Sequence, residues 1–188
     1  IVVADTLNHS IRRLDGQTFA TTLLAGGGGN FGRQDGLGAA ARFNFPTGVA
    51  VHSSGDIYVA DTRGYSIRRI SPQGQVQRIA GAETESDTYR DGAAGVQSLN
   101  YPMGVAVAPD RTVYFCENQR HTVRRVLPNG TVETVAGAEG VAGFADGADA
   151  NARFNFPSGV ALDAEGNLYI ADTGNHAVRR IAAGTRTV

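Results

Sequence analysis

Short apolar runs separated by polar turns recur along the whole chain. In the copy that begins near Pro46, the runs are GVAV, IYVAD, SIRRI and VQRIAG, and the turns between them are HSSGD, TRGY and SPQGQ. The run IYVAD is apolar at consecutive positions, which indicates a strand that is buried on both faces. Four strands joined by tight turns predict one small antiparallel sheet.

The sheet-forming unit repeats with a period of about 56 residues. The repeated proline occurs at Pro46, Pro102 and Pro157. The repeated arginine pair begins at Arg12, Arg68, Arg124 and Arg179. Tandem four-stranded units predict the blades of a β-propeller, and the alternative is an open solenoid. We favour the propeller because the first strand of each unit is rich in Gly, Val and Ala, which suits a crowded central axis.

We therefore predict an all-β protein, a β-propeller of four-stranded antiparallel blades, with about 3.4 blades in 188 residues. The units are a partial first blade with its link (1–40), a second blade (41–96), a third blade (97–151) and a partial fourth blade (152–188). The chain begins without Met at a second strand and stops near the start of a fourth, so we expect both ends to be cut. Three alternatives remain open: the molecule continues, two copies complete one ring, or the assembly is open.

The stretch ARFNFPTGVAV at 41–51 returns as ARFNFPSGVAL at 152–162. We interpret it as the entrance to a blade. Its bulky residues are predicted to wedge between neighbouring blades, and Gly48 is predicted to let the inner strand crowd the axis. The wedge residues are Phe43, Phe45, Leu99, Tyr101, Phe154 and Phe156.

The segments FPTGVAVHSSGDIYVADTRGYSIRRI and FPSGVALDAEGNLYIADTGNHAVRRI resemble the NHL-repeat family throughout. The signature Asn-His pair stands at 8–9 and 175–176, is replaced by Gly64-Tyr65, and keeps only its histidine at His121. The resemblance implies a six-bladed ring, of which this chain would form about half or slightly more. It also implies several functions, because family members resemble protein-binding platforms, some bind RNA, and a few related propellers are metal-dependent enzymes. Fold alone therefore does not give function.

The composition excludes some classes of function. The formal net charge is −1, which argues against a general polyanion binder. No apolar run approaches the ~18 residues of a membrane-spanning helix. The single cysteine, Cys116, lies in the apolar run VYFC and is predicted to be a buried small hydrophobe.

No catalytic residue, cofactor or metal site is predicted. The inner strands TGVAV, MGVAV and SGVAL carry no histidine, carboxylate or asparagine, whereas a zinc site needs three or four converging ligands. GGGGN lacks the ending of a P-loop, and Asp146 and Asp149 lack the alternation of an EF-hand. The alternative is a lyase or hydrolase whose catalytic groups lie in blades outside this chain.

Two further repeated positions are interpreted as structural. One histidine position lies in the turn between the second and third strands, with Tyr65 in the remaining unit. Its members are His9, His121 and His176. The second is an acid after the second strand, predicted to pair with arginine inside or between blades. Its members are Asp5, Asp61, Glu117 and Asp172.

The turns between second and third strands, together with the long links, form the predicted protein-binding face. The candidate contact residues are Arg63, Tyr65, Arg120, His121 and His176. An RNA-binding platform is a further alternative, since RNA is recognised by basic faces with stacking aromatics. The acids of the second link weigh against it; they include Glu83, Glu85 and Asp87.

Asn8 and Asn129 lie in N-glycosylation sequons, in turns predicted to sit on opposite faces. They hint at a secreted protein. We therefore predict a non-enzymatic scaffold or protein-interaction module within a larger extracellular or cell-surface protein, while a cytoplasmic location stays open. Its expected partner is another protein, or a second copy that completes the ring.

Overall fold

A computed structural model of the protein describes residues 1–82 and 89–188. Glu83, Glu85 and Asp87 lie outside the described residues. Within those residues the regular structure consists of β-strands and single turns of 3₁₀ helix, so the all-β prediction is confirmed.

The strands form four antiparallel sheets, which are the blades. The first blade contains β1 (Val2–Asp5), β2 (Ser10–Leu14) and β3 (Thr21–Ala25). The second contains β5 (Pro46–Val51), β6 (Ile57–Asp61), β7 (Ser66–Ile70) and β8 (Gln75–Ala80), with the short strand β4 (Gly36–Leu37) beside β8. The third contains β9 (Pro102–Val107), β10 (Val113–Glu117), β11 (Thr122–Val126) and β12 (Val132–Ala136). The fourth contains β13 (Pro157–Leu162), β14 (Leu168–Asp172) and β15 (Ala177–Ile181).

Each long link crosses from one blade to the outer edge of the next. It pairs there with the outermost strand, through Gly36 with Val76 and through Gly92 with Val132. The link then returns inward to the proline that begins the inner strand. This pairing covers a strand edge that would otherwise expose unpaired backbone groups.

The apolar core lies between blades. Phe43, Leu99 and Phe154 are each buried in a cluster that joins two successive blades. Around Phe43, for example, Ile11 of the first blade meets Val59 of the second. The predicted wedge role of these three residues is confirmed.

The inner strands approach one another too closely to accept a side chain at their shared glycine position. A Cβ at Gly48 would lie 2.6 Å from the Met103 carbonyl oxygen. A Cβ at Gly104 would lie 2.6 Å from the Gly159 Cα. The predicted crowding at the axis is therefore confirmed, and the glycines set the distance between blades.

Candidate functional site

A buried arginine lies at the centre of the third blade. The Arg124 guanidinium is fully buried and lies 3.0 Å from the Glu117 carboxylate at the end of β10. It also donates to Asp91 of the link at 2.7 Å. The guanidinium also donates hydrogen bonds to the backbone carbonyls of Ser98 at 2.9 Å and Arg90 at 2.7 Å. One side chain thus joins a strand, a link and a blade entrance.

The same node recurs in the second and fourth blades. Arg68 pairs with Asp61 at 3.1 Å and with Asp35 of the link at 2.6 Å. Arg179 pairs with Asp172 at 3.2 Å and also with Asp146 of its link. The predicted acid–arginine pair is confirmed, and it lies within a blade. The sequence reasoning missed the link acid, although the recurrent Asp-Gly pairs at 35–36, 91–92 and 146–147 signalled it.

Burial perturbs the acids of these nodes. It raises the pKa of Asp61 to about 7, while the Arg68 charge and the Asn44 backbone N–H favour the carboxylate. Burial likewise raises the pKa of Glu117 to about 7, against the opposing effect of Arg124. Such pKa shifts are common at catalytic sites, but here each acid is enclosed by its own blade. Each node of arginine, strand acid and link acid holds a link against a blade, and we call these nodes clamps.

The clamps fix the links as well as the blades. The second carboxylate oxygen of Asp91 accepts the Thr134 backbone N–H at 2.8 Å. This bond lies beside the bulge at which the pairing register of β11 with β12 shifts. Tyr89 stacks on the Arg124 guanidinium with its ring centroid 4.3 Å away. These contacts hold the described part of the second link against the blade that follows it.

Histidine side chains connect neighbouring blades, and we call each contact region between two blades a joint. His9 Nδ1 accepts the Phe45 backbone N–H at 3.1 Å, and the two rings meet edge to face at 4.9 Å. His121 accepts the Phe156 N–H at 3.0 Å in the same way. Burial lowers the pKa of His121, which favours the neutral ring that this bond requires. The structural interpretation is confirmed for these two positions.

The five predicted contact residues differ in their accessibility. Arg63 and His176 are exposed, and Arg120 is half-buried and paired with Glu139 at 3.3 Å. Tyr65 and His121 are buried. Tyr65 packs edge to face on Tyr101 with ring centroids 5.3 Å apart. The structure therefore brings the predicted residues to one set of turns but turns two of them inward.

The accessible surface beside these turns is built largely by the links, and we name it the link face. It consists of Phe31, Arg33, Arg63, Arg120, Val141 and Phe156. Phe31 is 70% exposed and contacts the His9 ring. Arg63 stacks on Phe45, with the guanidinium carbon 4.1 Å from the ring centroid. The exposed Phe31 and Val141 were missed, because a link without periodic pattern gives no signal of which side chains face outward.

The inner strands place small side chains at the axis, and their hydroxyls are engaged. Thr47 shares a hydrogen bond of 2.7 Å with Thr62, and Thr62 donates to the Pro102 carbonyl at 2.7 Å. Among the residues that the structure describes, no three His, Cys, Asp or Glu side chains lie close enough together to hold a metal ion. No helix within 1–82 or 89–188 is long and apolar enough to span a membrane.

The remaining candidates have clear positions. Cys116 is buried as predicted, and burial raises the pKa of its thiol. Asn8 and Asn129 are both exposed. Asn8 lies in the turn after β1, and Asn129 lies in the turn between β11 and β12, at the opposite ends of the strands. Their modification stays a prediction.

The NHL repeat model matches residues 43–70 and 154–181. SUPPRESSOR OF QUENCHING 1, chloroplastic, from Arabidopsis thaliana is 31% identical over 148 residues, which are 74% of this chain and 14% of that protein. NHL repeat-containing protein 2 from Bos taurus is 27% identical over 177 residues, which are 88% of this chain and 24% of that protein.

A solved structure of a structural genomics protein of unknown function from Bacteroides thetaiotaomicron superposes with a TM-score of 0.76 at 26% identity. The superposition covers 94% of this chain and 42% of that one. The aligned part of this chain corresponds to less than a third of the length of each of the two curated relatives. The repeats, the relatives and the blade architecture show that this chain belongs to the NHL-repeat family of β-propellers.

Proposed function

We propose that the protein is a non-enzymatic scaffold that binds another protein through the link face. The observation that carries this proposal is the exposure of Phe31 and Val141 on links clamped to the blades, together with exposed Phe156 at a blade entrance and exposed Arg63 in a turn. Aromatic and arginine side chains dominate the binding energy of protein interfaces. Because the clamps hold the links in place, little ordering entropy opposes binding.

The inner-strand residues near the axis favour the scaffold proposal over the enzyme alternative. The inner strands PTGVAV and PMGVAV carry no acid or base, and the Thr47 hydroxyl is engaged with Thr62. RNA binding is favoured less, because the Arg120 charge is paired with Glu139.

The contact face is tested with two substitutions on the link face, Phe31→Ser and Arg63→Glu. Gln73→Glu, on the opposite turns, is the matched surface control. In a pull-down, the proteins that bind to the wild type and to Gln73→Glu should not bind to Phe31→Ser or to Arg63→Glu. Retention of the same proteins by all three variants would overturn the proposal, and salt-sensitive capture of RNA would favour the RNA platform.

The ring is completed, we further propose, by blades of the same kind, supplied by a longer chain or by a second copy. Val2 and Ala4 pack against the second blade, so Val3 between them faces away and is 41% exposed. In the fourth blade Tyr169 and Val178 are exposed in the same manner. Sedimentation of the 188-residue chain distinguishes the sources, because a discrete dimer indicates a second copy. A monomer would rule out completion by a second copy and leave a longer chain or an open assembly.

We propose an extracellular or cell-surface location for the larger protein, supported by the two exposed sequons. Glycan mass on Asn8 or Asn129 in protein isolated from its natural source is the expected result. Unmodified asparagine at both positions would contradict this location.

A further inference from the structure

A groove lies between the second and third blades, at the end of the strands opposite the link face. Its volume is about 330 Å³. The second blade lines it with Tyr58, Arg69 and Ile79, and the third blade lines it with Arg111, Val126 and Pro128. We name it the arginine groove. It combines two cations with an apolar wall, as ligand sites commonly combine a few polar groups with apolar side chains.

The backbone of Arg111 is in the left-handed region, with a φ of 72°. The residues at the same position of the other two hairpins are Gly55, with a φ of 87°, and Gly166, with a φ of 88°. A side chain in this conformation costs about 1–2 kcal/mol, which glycine avoids. Left-handed residues also occur at structural positions such as His9 and His121, so at Arg111 the conformation marks a departure from the glycine of the equivalent hairpins.

Within residues 1–82 and 89–188, the Arg111 guanidinium makes no ion pair shorter than 4.0 Å. Its nearest acid is Asp56, at 4.0 Å, and its side chain is 54% exposed. The Asp56 carboxylate is occupied by Arg69 at 2.8 Å and by the Ser54 hydroxyl at 2.8 Å. Burial opposes ionisation of Asp56, but the bonds from Ser54 and Arg69 and the two arginine charges outweigh it and lower its pKa. Among the described residues, Arg69 and Arg111 are the charged groups that line the groove, and Asp56 beside them compensates one of these two charges. The described part of the groove therefore keeps one positive charge in excess.

The equivalent groove between the third and fourth blades differs. There Arg125, the counterpart of Arg69, is held by Glu133 at 2.6 Å, and Gly166 stands where Arg111 would be. Arg186 also lies against Glu133 at 3.5 Å and against Asp149 at 3.6 Å, so two acids accompany the two arginines there. The excess charge is thus a property of one joint and not a requirement of the repeated fold.

We propose that the arginine groove binds a small organic acid, a monocarboxylate that carries an apolar group. A carboxylate matches the planar donors of Arg111, while Arg69, whose Nε and Nη2 already bind Asp56, adds positive charge. The single charge of the ligand balances the excess charge of the groove. Ile79, Val126 and Pro128 cover the apolar group, which inorganic sulfate or phosphate does not have. The volume restricts the ligand to a small molecule. This site is independent of the link face and of the proposed scaffold function.

The test compares the wild type with Arg111→Gly, using N-acetyl-L-leucine as the acid and N-acetyl-L-leucine amide as the uncharged probe. Binding is followed by amide chemical shifts in protein made in bacteria, where Asn129 at the groove rim is unmodified. The acid should give saturable shifts at the lining residues, and the amide should not. Arg111→Gly should weaken the acid about tenfold or more, as expected for lost bonds to a charged group.

The same variant separates a ligand role from a structural one. Because glycine relieves the left-handed strain, Arg111→Gly should keep or raise the thermal midpoint while it loses binding. Arg186→Ala, which removes an arginine from the neighbouring groove, should leave binding unchanged. The proposal is overturned if the acid gives no saturable shift at millimolar concentrations or the amide binds equally. It is also overturned if Arg111→Gly lowers the midpoint and leaves binding intact.

Discussion

Replacing Arg124 with methionine would remove the centre of a buried node while it leaves most of the side-chain volume in place. The variant loses the ion pair with Glu117 at 3.0 Å and the hydrogen bonds to Asp91 at 2.7 Å. The carbonyls of Ser98 and Arg90 also lose their hydrogen bonds from the guanidinium, of 2.9 and 2.7 Å. Water cannot readily replace the guanidinium at the fully buried Glu117 carboxylate, whereas the Asp91 side chain is 40% exposed.

The expected loss is about 3–5 kcal/mol of unfolding free energy, the cost of breaking a buried ion pair by removing one partner. For a chain of this size that corresponds to about 6–20 °C in the thermal midpoint. The loss should depend on pH, because burial already raises the pKa of Glu117 to about 7 with Arg124 present. Without the arginine that pKa rises further, so the loss should be larger at pH 8 than at pH 6.

Arg12→Met is the matched control, since Arg12 holds the same repeat position in the first blade. Its side chain is 38% exposed and lies 3.7 Å from Asp5. An exposed pair of this kind contributes less than about 1 kcal/mol. Urea unfolding of both variants, followed by circular dichroism, gives the two free energies. Equal losses, or a loss for Arg124→Met that does not change with pH, would refute the reasoning.

Three further predictions follow from the packing and the joints. Gly104→Ala should cost about 1–3 kcal/mol by overpacking the axis, whereas Gly16→Ala should stay within about 0.5 kcal/mol because no atom lies within 4 Å of its added Cβ. His121→Ala should cost about 1–3 kcal/mol by leaving a backbone N–H unpaired, and the exposed His176→Ala should cost almost nothing. Burial lowers the folded-state pKa of His121, so its contribution should be lost as pH falls below about 6.5, and His121→Ala should flatten this part of the stability profile. The pKa of Asp61 is raised to about 7, so its effect has the opposite sign: stability is present at low pH and is lost as pH rises through about 7. A carboxyl carbon titration of Asp61 with a midpoint near 4 would contradict this last prediction.

Local pattern was enough to predict the strands and turns. β6 corresponds residue for residue to the run IYVAD, and β7 corresponds to SIRRI. The acid–arginine pair was also predictable, because Asp61 and Arg68 recur in step and lie diagonally across one hairpin. Contacts over seven residues are set by hairpin geometry, which the repeat makes visible.

The surface was less predictable. Tyr65 and His121 have the same turn position as the exposed His176, yet they are buried because a following blade covers them. The exposure of Phe31 could not be predicted from the sequence, since the environment of this side chain depends on how the link crosses between blades. The position of Arg111 could likewise not be predicted, because its left-handed backbone is visible only in the folded hairpin.

The sequence by itself determined the blades, since strand alternation and turn chemistry act between residues that are near in the chain. Only the tertiary structure decided the joints, such as the bond from the Phe45 N–H to His9 across 36 residues. It also decided which arginines are clamped and which are exposed. The physical reason is that burial and charge pairing depend on neighbours supplied by another blade, and periodic spacing reveals a position in the blade without revealing what packs against it.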